Sequence, residues 1–303
     1  MEHFSDRLAA SITARRSLLC VGLDPVLERM PPALAEKHRR AAAASEDEAV
    51  AACFAEFCAG VIEAVAGTAA CVKPQAAFFE QYGAAGWRAL TETVARARAH
   101  DLPVILDVKR GDIASTGVAY RRAAFGGAPG FAAPVAGVDA DALTVSPYLG
   151  DDALTPFVEA CAEGRGVFVL VRTSNPGAGM LQELDVGGRP LYLHVADAVA
   201  RLGAACVGEQ GYSDVGAVVG ATAPAALRAV RAVLPHAFLL VPGVGAQGGA
   251  TQALGELMVG DAAGLVINAS RSIIYAWQEG DADYRRAAAE AAESLCRELG
   301  PPA

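Results

Sequence analysis

Lysine is nearly absent from this 303-residue sequence: Lys37, Lys73 and Lys109 accompany 22 arginines. Arginine stays protonated and cannot readily pass a proton, whereas lysine can serve as a proton donor or a compact cation. Lys37, in the polar stretch AEKHRR, is interpreted as a solvated charge. Lys73 and Lys109 follow strand-like apolar runs, where a charge without a role is less expected. We therefore interpret these two lysines as site residues, with a structural ion pair as the alternative.

The sequence also lacks a basic excess, a long apolar run and a targeting signal. A formal net charge of -9 argues against a general nucleic-acid surface, which needs a broad basic patch. Although 53% of the residues are apolar, they form no run of about 20 residues that could span a membrane. The amino terminus has no basic segment followed by an apolar one. We predict a cytoplasmic protein that binds neither membrane nor nucleic acid.

Cysteine shows no sign of a disulfide framework or a metal site. The seven cysteines are odd in number, scattered, and without a C-x-x-C pair. Most lie in apolar helix or strand patterns, so we expect buried, reduced thiols.

Short apolar runs alternate with alanine-rich helical stretches along the whole chain, which favours parallel βαβ units. Eight runs are predicted strands: 18–23, 70–73, 103–108, 141–146, 167–172, 215–219, 237–241 and 264–268. Helices are predicted near 46–66, 84–100, 117–125, 151–163, 190–208, 223–233, 249–258 and 283–299. Eight strands, each followed by a helix, predict a closed (β/α)8 TIM barrel in the α/β class, with residues 1–303 forming a single domain. An open doubly wound sheet is the alternative.

Two segments do not fit the regular alternation of strands and helices. Residues 25–45 carry prolines and charges and are interpreted as a long loop with a short helix. Residues 174–190 are rich in glycine and polar residues and are too long for a typical connection of about two to six residues. Since long loops at the mouth of a barrel often close over a ligand, we predict a lid here.

Chemistry in such barrels sits at the carboxyl ends of the strands, and the third strand ends in DVKRGD. Side chains alternate along a strand, so Asp107 and Lys109 share one side, with Asp112 just beyond on the exit loop. Nearby acids keep an ammonium charged. If Lys73 lies at the same end of the barrel, the four groups form a network of alternating charges. The alternative is that this network has a purely structural role.

Strands seven and eight end in features suited to an anion. The turn PGVGAQGG at 242–249 offers backbone N–H groups that can approach a ligand closely, and Arg271 follows strand eight. Arginine can pair with phosphate in a forked geometry, and this is the usual phosphate position in such barrels. We favour a phosphate site over a plain tight turn.

The run DVKRGDIAST at 107–116 resembles the D-x-K-x-x-D-I-x-x-T signature of the orotidine 5'-phosphate decarboxylase family. Further segments resemble that family in matching order over nearly the whole chain. They are GLDP at 22–25, VKPQAAFFE at 72–80, TSNPGAG at 173–179, PGVGAQGG at 242–249 and SRSIIYA at 270–276. The length and the VKPQ form resemble a bacterial subgroup with extended loops.

The resemblance implies a catalytic set that two subunits share. Lys73, Asp107 and Lys109 would come from one subunit, and Lys109 would donate a proton to C6. Asp112 would reach into the neighbouring subunit's site, which implies a homodimer with shared active sites. Ile113 and Thr116 would accompany it.

The resemblance also implies the substrate contacts. Asp24 would hold a ribose hydroxyl, Ser174 would contact the pyrimidine, and Gln247 would bridge lid, base and phosphate. The remaining substrate-binding positions would be Pro242, Gly248, Gly249 and Arg271. The implied reaction is direct decarboxylation of orotidine 5'-phosphate to uridine 5'-phosphate in pyrimidine synthesis, with no cofactor and no metal.

Two other functions stay open. One is a Mg2+-dependent sugar-phosphate decarboxylase or hexulose-phosphate synthase on the same barrel. That family places a carboxylate at the end of strand two, where this chain has Lys73, a cation that would repel Mg2+. The other is a non-catalytic phosphate-binding barrel, against which the intact set of acids and lysines argues.

Overall fold

Eight short segments rich in valine, leucine and isoleucine form the parallel strands at the centre of the molecule. A computed structural model describes residues 1–41, 45–243, 257–258, 263–280 and 283–302. The strands are β1 (Leu19–Leu23), β2 (Cys71–Pro74), β3 (Ile105–Arg110), β4 (Ala142–Val145), β5 (Gly166–Arg172), β8 (Ser213–Val219), β9 (Ala237–Pro242) and β10 (Leu265–Ala269). A two-stranded hairpin of β6 (Asp185–Val186) and β7 (Arg189–Pro190) lies outside this sheet.

The sheet closes on itself. Its order is β2-β1-β10-β9-β8-β5-β4-β3, and its two ends meet through parallel bridges from Val72 to Val104 and from Gln75 to Asp107. All residues of β1, β2, β4, β8 and β10 are buried, as expected for parallel strands covered on both faces. The predicted (β/α)8 TIM barrel is confirmed, and the open sheet is excluded.

Helices follow the strands and cover the barrel. They are α1 (Phe4–Arg15), α2 (Pro32–Ala41), α3 (Glu46–Val65), α4 (Ala77–Glu80), α5 (Gly83–Arg98), α6 (Ala114–Phe125), α7 (Asp151–Val158), α8 (Gly179–Gln182), α9 (Leu191–Gly203), α10 (Pro224–Val233), α11 (Arg271–Ile274) and α12 (Tyr284–Leu299). Among these described helices, none combines the length and apolar character that a membrane crossing requires.

Most predicted helices are confirmed within a few residues. The helix predicted to 208 ends at Gly203, whose carbonyl accepts a hydrogen bond from the Ser213 hydroxyl at the start of β8. The helix predicted at 151–163 changes to a 3-10 helix from Glu159 to Glu163. The helix predicted at 249–258 lies outside the described residues except for 257 and 258. The segment 25–45 does contain a helix, α2, after a 3-10 turn.

Helix α1 was not predicted, and it covers the amino-terminal end of the barrel. The buried Phe4 ring packs edge-on against Phe168, with centroids 6.1 Å apart. The Ser5 hydroxyl donates to the Tyr212 carbonyl, and its backbone N–H donates to Asp214 at 2.8 Å. These contacts leave the opposite, carboxyl-terminal end as the place for a ligand.

Candidate active site

A buried carboxylate, Asp107, lies between two ammonium groups at the carboxyl end of the barrel. Its Oδ2 accepts a hydrogen bond from Lys73 Nζ at 2.7 Å, and its Oδ1 accepts one from Lys109 Nζ at 2.6 Å. Asp107 is 7% exposed and Lys73 5%. The Lys109 side chain is 46% exposed, so its ammonium group is the accessible end of the cluster.

Local backbone geometry at the end of β3 places Lys109. The pairing of β3 with β4 shifts between Leu106 and Arg110, and Lys109 has a φ of 47°, in the left-handed region that non-glycine residues seldom adopt. Thr144 of β4 holds this irregularity. Its hydroxyl oxygen accepts the N–H groups of Val108 and Lys109, and its O–H donates to Asp107 Oδ1 at 2.9 Å.

Charge pairing keeps the buried groups ionised. Burial by itself raises the pKa of Asp107, but the charges of Lys73 and Lys109 and their hydrogen bonds outweigh it and lower this pKa to about 2. Burial by itself lowers the pKa of Lys73, and the charges of Asp107 and Asp24 more than reverse this effect, so its pKa lies above the usual value. Asp107 and Lys73 are therefore both ionised near neutral pH.

The cluster forms the floor of a cavity of about 480 Å³, here called the inner cavity. One wall is apolar, formed by Leu170, Val218 and Leu240. The remaining lining is polar apart from one proline: Thr144, Thr173, Ser174, Asn175, Gln182 and Pro242. A flat ring with polar edges and apolar faces suits such a space. The predicted residues Ser174 and Pro242 both line it.

A second cavity of about 650 Å³, here called the outer cavity, shares Ser174 with the inner one. Asp24 and Arg271 line it, as do Asn268 and Ser270 at the end of β10. Arg271 is exposed and makes no ion pair within the described part of the chain, so its guanidinium is available to an anion. The two cavities together can take a ligand with a ring at one end and an anion at the other.

The loop after β1 brings Asp24 to the outer cavity. The Tyr275 hydroxyl fixes the loop backbone by donating to the Asp24 carbonyl at 2.9 Å and accepting the Val26 N–H at 2.8 Å. Asp24 Oδ1 is buried and has no hydrogen-bond partner in the described residues. An acceptor left in this state costs about 1–3 kcal/mol, which favours a donor on a ligand.

Some predicted site residues lie elsewhere. Asp112 is on the exit loop, where its Oδ1 accepts the Ile113 N–H at 2.8 Å, and it makes no ion pair in the described part of the chain. Neither Asp112, Ile113 nor Thr116 lines the two cavities. Three of the four charged groups thus meet within one chain. Gln247, Gly248 and Gly249 lie outside the described residues.

The predicted lid segment contains a 3-10 turn, α8 and the β6–β7 hairpin. Gln182 of α8 points back to the barrel, where its Oε1 accepts the Thr173 N–H at 2.9 Å and its side chain lines the inner cavity. The sequence did not single out Gln182, Thr144 or Asn268. Thr144 and Asn268 each occupy the polar tail of a predicted strand, which was the available signal.

Residues 17–287 match the sequence model of a family described as "Orotidine 5'-phosphate decarboxylase / HUMPS family". The orotidine 5'-phosphate decarboxylase of Rhodopirellula baltica is 48% identical over 277 residues, covering 91% of this chain and 89% of that protein. The enzyme of the same name from Halorubrum lacusprofundi is 43% identical over 98% of both chains.

Solved structures agree with the sequence relatives. The structure of Leishmania donovani OMP decarboxylase is 38% identical with a TM-score of 0.72, covering 98% of this chain and 97% of that chain. A putative orotidine-monophosphate-decarboxylase from Toxoplasma gondii is 34% identical with a TM-score of 0.78, covering 98% and 96%. With its Lys73–Asp107–Lys109 cluster at the carboxyl end of a closed barrel, this chain belongs to the orotidine 5'-phosphate decarboxylase / HUMPS family.

Proposed function

We propose that this protein decarboxylates orotidine 5'-phosphate to uridine 5'-phosphate, a step of pyrimidine nucleotide synthesis, without metal or cofactor. The observation that carries the proposal is the pair of ammonium groups that Asp107 holds at the floor of the inner cavity. The sequence relatives named above support the same reaction.

Lys109 is the proton donor in this mechanism. Loss of CO2 leaves a carbanion at C6 that the pyrimidine ring delocalises poorly, so a nearby ammonium in a closed cavity is the stabilising group that the protein can offer. Lys109 is the more exposed of the two lysines, and Asp107 aims its Nζ. Proton transfer from Nζ to C6 completes the product and leaves a neutral amine.

Asp107 acts through its charge. Because its pKa is about 2, the carboxylate is ionised at neutral pH. A substrate carboxylate placed beside it is repelled, and this repulsion disappears as neutral CO2 forms. The same carboxylate orients both lysines through its two oxygens.

Arg271 binds the phosphate in the outer cavity, far from C6. Binding energy from such a remote group can be used to order the site around the reacting atoms, including closure of the segment 174–190. Ser174 lies where the two cavities join, and contacts the pyrimidine between the phosphate and the lysines.

The Mg2+-dependent alternative is less well supported. Both oxygens of Asp107 already accept hydrogen bonds from ammonium groups, which leaves little for a hard cation that prefers carboxylate and water oxygens. The charge of Lys73 is stabilised by two acids and repels Mg2+.

We also propose that the protein is a homodimer whose two chains share each active site. Asp112 makes no ion pair in the described part of its own chain, and Ile113 beside it is 60% exposed. Two further exposed apolar side chains, Tyr148 and Leu149, follow the neighbouring strand β4. Clustered apolar side chains at a surface are typical of an interface, and a two-fold arrangement would carry Asp112 and Thr116 into the partner's site.

A cytoplasmic location completes the proposal. All seven cysteines are free thiols, five of them buried. Free thiols are typical of a reducing compartment.

The first prediction concerns the reaction itself. Purified protein with orotidine 5'-phosphate and EDTA is expected to show the ultraviolet absorbance change of conversion to uridine 5'-phosphate, at the rate seen without EDTA. Absence of conversion, followed by activity on a pentulose or hexulose phosphate once Mg2+ is restored, would assign the chain to the metal-dependent branch of its family.

The second prediction concerns Lys109. Lys109→Ala is expected to lower kcat by roughly 10³-fold or more, because it removes both the proton donor and a charge beside C6. Binding of uridine 5'-phosphate, measured by calorimetry, is expected to persist. Lys37→Ala is the matched control, since Lys37 is an exposed lysine paired with Glu56. Substantial residual turnover in Lys109→Ala would contradict the proton-donor role.

The third prediction concerns Arg271. Arg271→Ala is expected to reduce kcat/KM by about 10- to 100-fold through loss of charge-assisted hydrogen bonds to phosphate. Binding of uridine, which has no phosphate, should not change. Arg286→Ala removes an exposed arginine on α12 and serves as the control. An unchanged kcat/KM would remove Arg271 from the phosphate site.

The fourth prediction tests the shared active site. Lys109→Ala and Asp112→Ala are each expected to be nearly inactive, whereas the two chains unfolded and refolded together should regain about a quarter of wild-type activity, because half of the dimers are hybrids with one intact site. A mixture no more active than its components would show that Asp112 serves its own chain.

A further inference from the structure

Asn268 is a buried polar residue for which the mechanism above has no use. It lies at the carboxyl end of β10, opposite Cys20 of β1 and Pro242 of β9. Its residue exposure is only 8%, yet its side chain lines the outer cavity beside Asp24. The site thus contains a carboxamide that neither the fold nor the proposed chemistry explains.

The side-chain oxygen of Asn268 has no hydrogen-bond partner in the described residues. A buried amide oxygen in this state costs about 1–3 kcal/mol, so a purely structural asparagine is expected to find a partner within the fold. Asp24 Oδ1, in the same cavity, is also buried and unpartnered. Two unsatisfied acceptors in one cavity indicate a ligand that brings two donors.

The space around Gly22 shows how the two acceptors lie relative to each other. A Cβ at Gly22 would be 3.2 Å from Asn268 Oδ1 and would overlap the Ser270 hydroxyl, so glycine leaves the room that these side chains occupy. β1 ends at Leu23, so Asp24 is the first residue of the loop that follows, two residues after Gly22. Asn268 Oδ1 therefore lies close to the end of β1 at Gly22, and Asn268 and Asp24 both line the outer cavity.

The chemical character of Asn268 and Asp24 indicates which groups of a nucleotide donate hydrogen bonds to them. Lone pairs on a carboxamide and a carboxylate cannot hold an anion, so the phosphate belongs with Arg271 rather than with this pair. The base N–H belongs in the inner cavity, beyond Ser174. What lies between base and phosphate in a nucleotide is the ribose, whose 2'- and 3'-hydroxyls are neighbouring donors.

We propose that Asn268 accepts a hydrogen bond from one ribose hydroxyl of the nucleotide while Asp24 accepts from the other, so that Asn268 helps to select ribonucleotides over deoxyribonucleotides. This inference rests on the proposed function of the site. It adds a second sugar-binding residue on β10, the strand next to β1, whose exit loop carries Asp24. A site built to pair a hydroxyl discriminates strongly against a ligand that lacks it, because its own acceptor is then left unpaired.

The test is a comparison of three nucleotides by calorimetry: uridine 5'-phosphate and its 2'-deoxy and 3'-deoxy forms. Asn268→Ala is expected to weaken binding of uridine 5'-phosphate about ten-fold and to leave the affinity for one of the two deoxy forms unchanged. Asn268→Val, which suits a buried strand, is expected to behave alike. Gln210→Ala truncates an exposed amide at the opposite end of the barrel and should leave all three affinities unchanged.

Asn268→Asp provides the complementary variant. It keeps an acceptor but adds a negative charge near Asp24 and the phosphate, so all three nucleotides should bind more weakly while the preference for the hydroxyl persists. Equal weakening of all three nucleotides by Asn268→Ala and Asn268→Val would overturn the inference. An unchanged affinity for uridine 5'-phosphate would do the same.

The wild-type protein separates this inference from the function on which it rests. If wild-type protein fails to convert orotidine 5'-phosphate, the proposed function fails regardless of Asn268. If it converts the substrate and binds the product, and the asparagine variants keep the full preference for the hydroxyls, only the role of Asn268 is lost.

Discussion

The electrostatic balance around Asp107 is the interaction on which the rest of the site depends. Burial by itself raises the pKa of Asp107 and lowers the pKa of Lys73, so burial alone disfavours the charged form of each group. Each is ionised because the other is. Removing Asp107 would leave Lys73 buried without its hydrogen-bonded partner, and breaking a buried ion pair in this way costs about 3–5 kcal/mol. The three groups therefore stabilise one another. The position of the Lys109 ammonium in the cavity depends on Asp107, and Asp107 in turn depends on Lys73.

The closed barrel fixes the positions of the charged side chains relative to one another. Asp107 and Lys109 come from one strand, Lys73 from the strand on one side, and Thr144 from the strand on the other. Because β2, β3 and β4 are neighbours in a closed sheet, their carboxyl ends cannot separate without breaking backbone hydrogen bonds. The Thr144 hydroxyl links the irregular backbone at Lys109 to the carboxylate of Asp107, so the backbone that carries the Lys109 ammonium and the carboxylate that pairs with it are held by the same side chain.

Local patterns predicted the barrel and the residues at strand ends, because apolar runs and their polar tails are properties of short segments. Thr144, Gln182 and Asn268 were not predicted as site residues, since their places in the two cavities depend on how separate segments of the chain come together. Helix α1 was missed for the same reason: its importance lies in Phe4, Ser5 and their distant partners. Asp112 shows a further limit, because within the described part of its own chain it makes no ion pair and lines neither cavity, so its place in the site stays a prediction.

Closure of the barrel by α1 also governs how products leave. With Phe4, Ser5 and their partners covering the amino-terminal end, the two cavities at the other end provide the route for both arrival and departure. In the proposed reaction, CO2 forms beside the Lys73–Asp107–Lys109 cluster that lines the inner cavity. With the nucleotide placed as proposed, the gas either passes it or leaves after it. A barrel whose ligand cavities lie at one end thus gives both products of the proposed reaction the same route out.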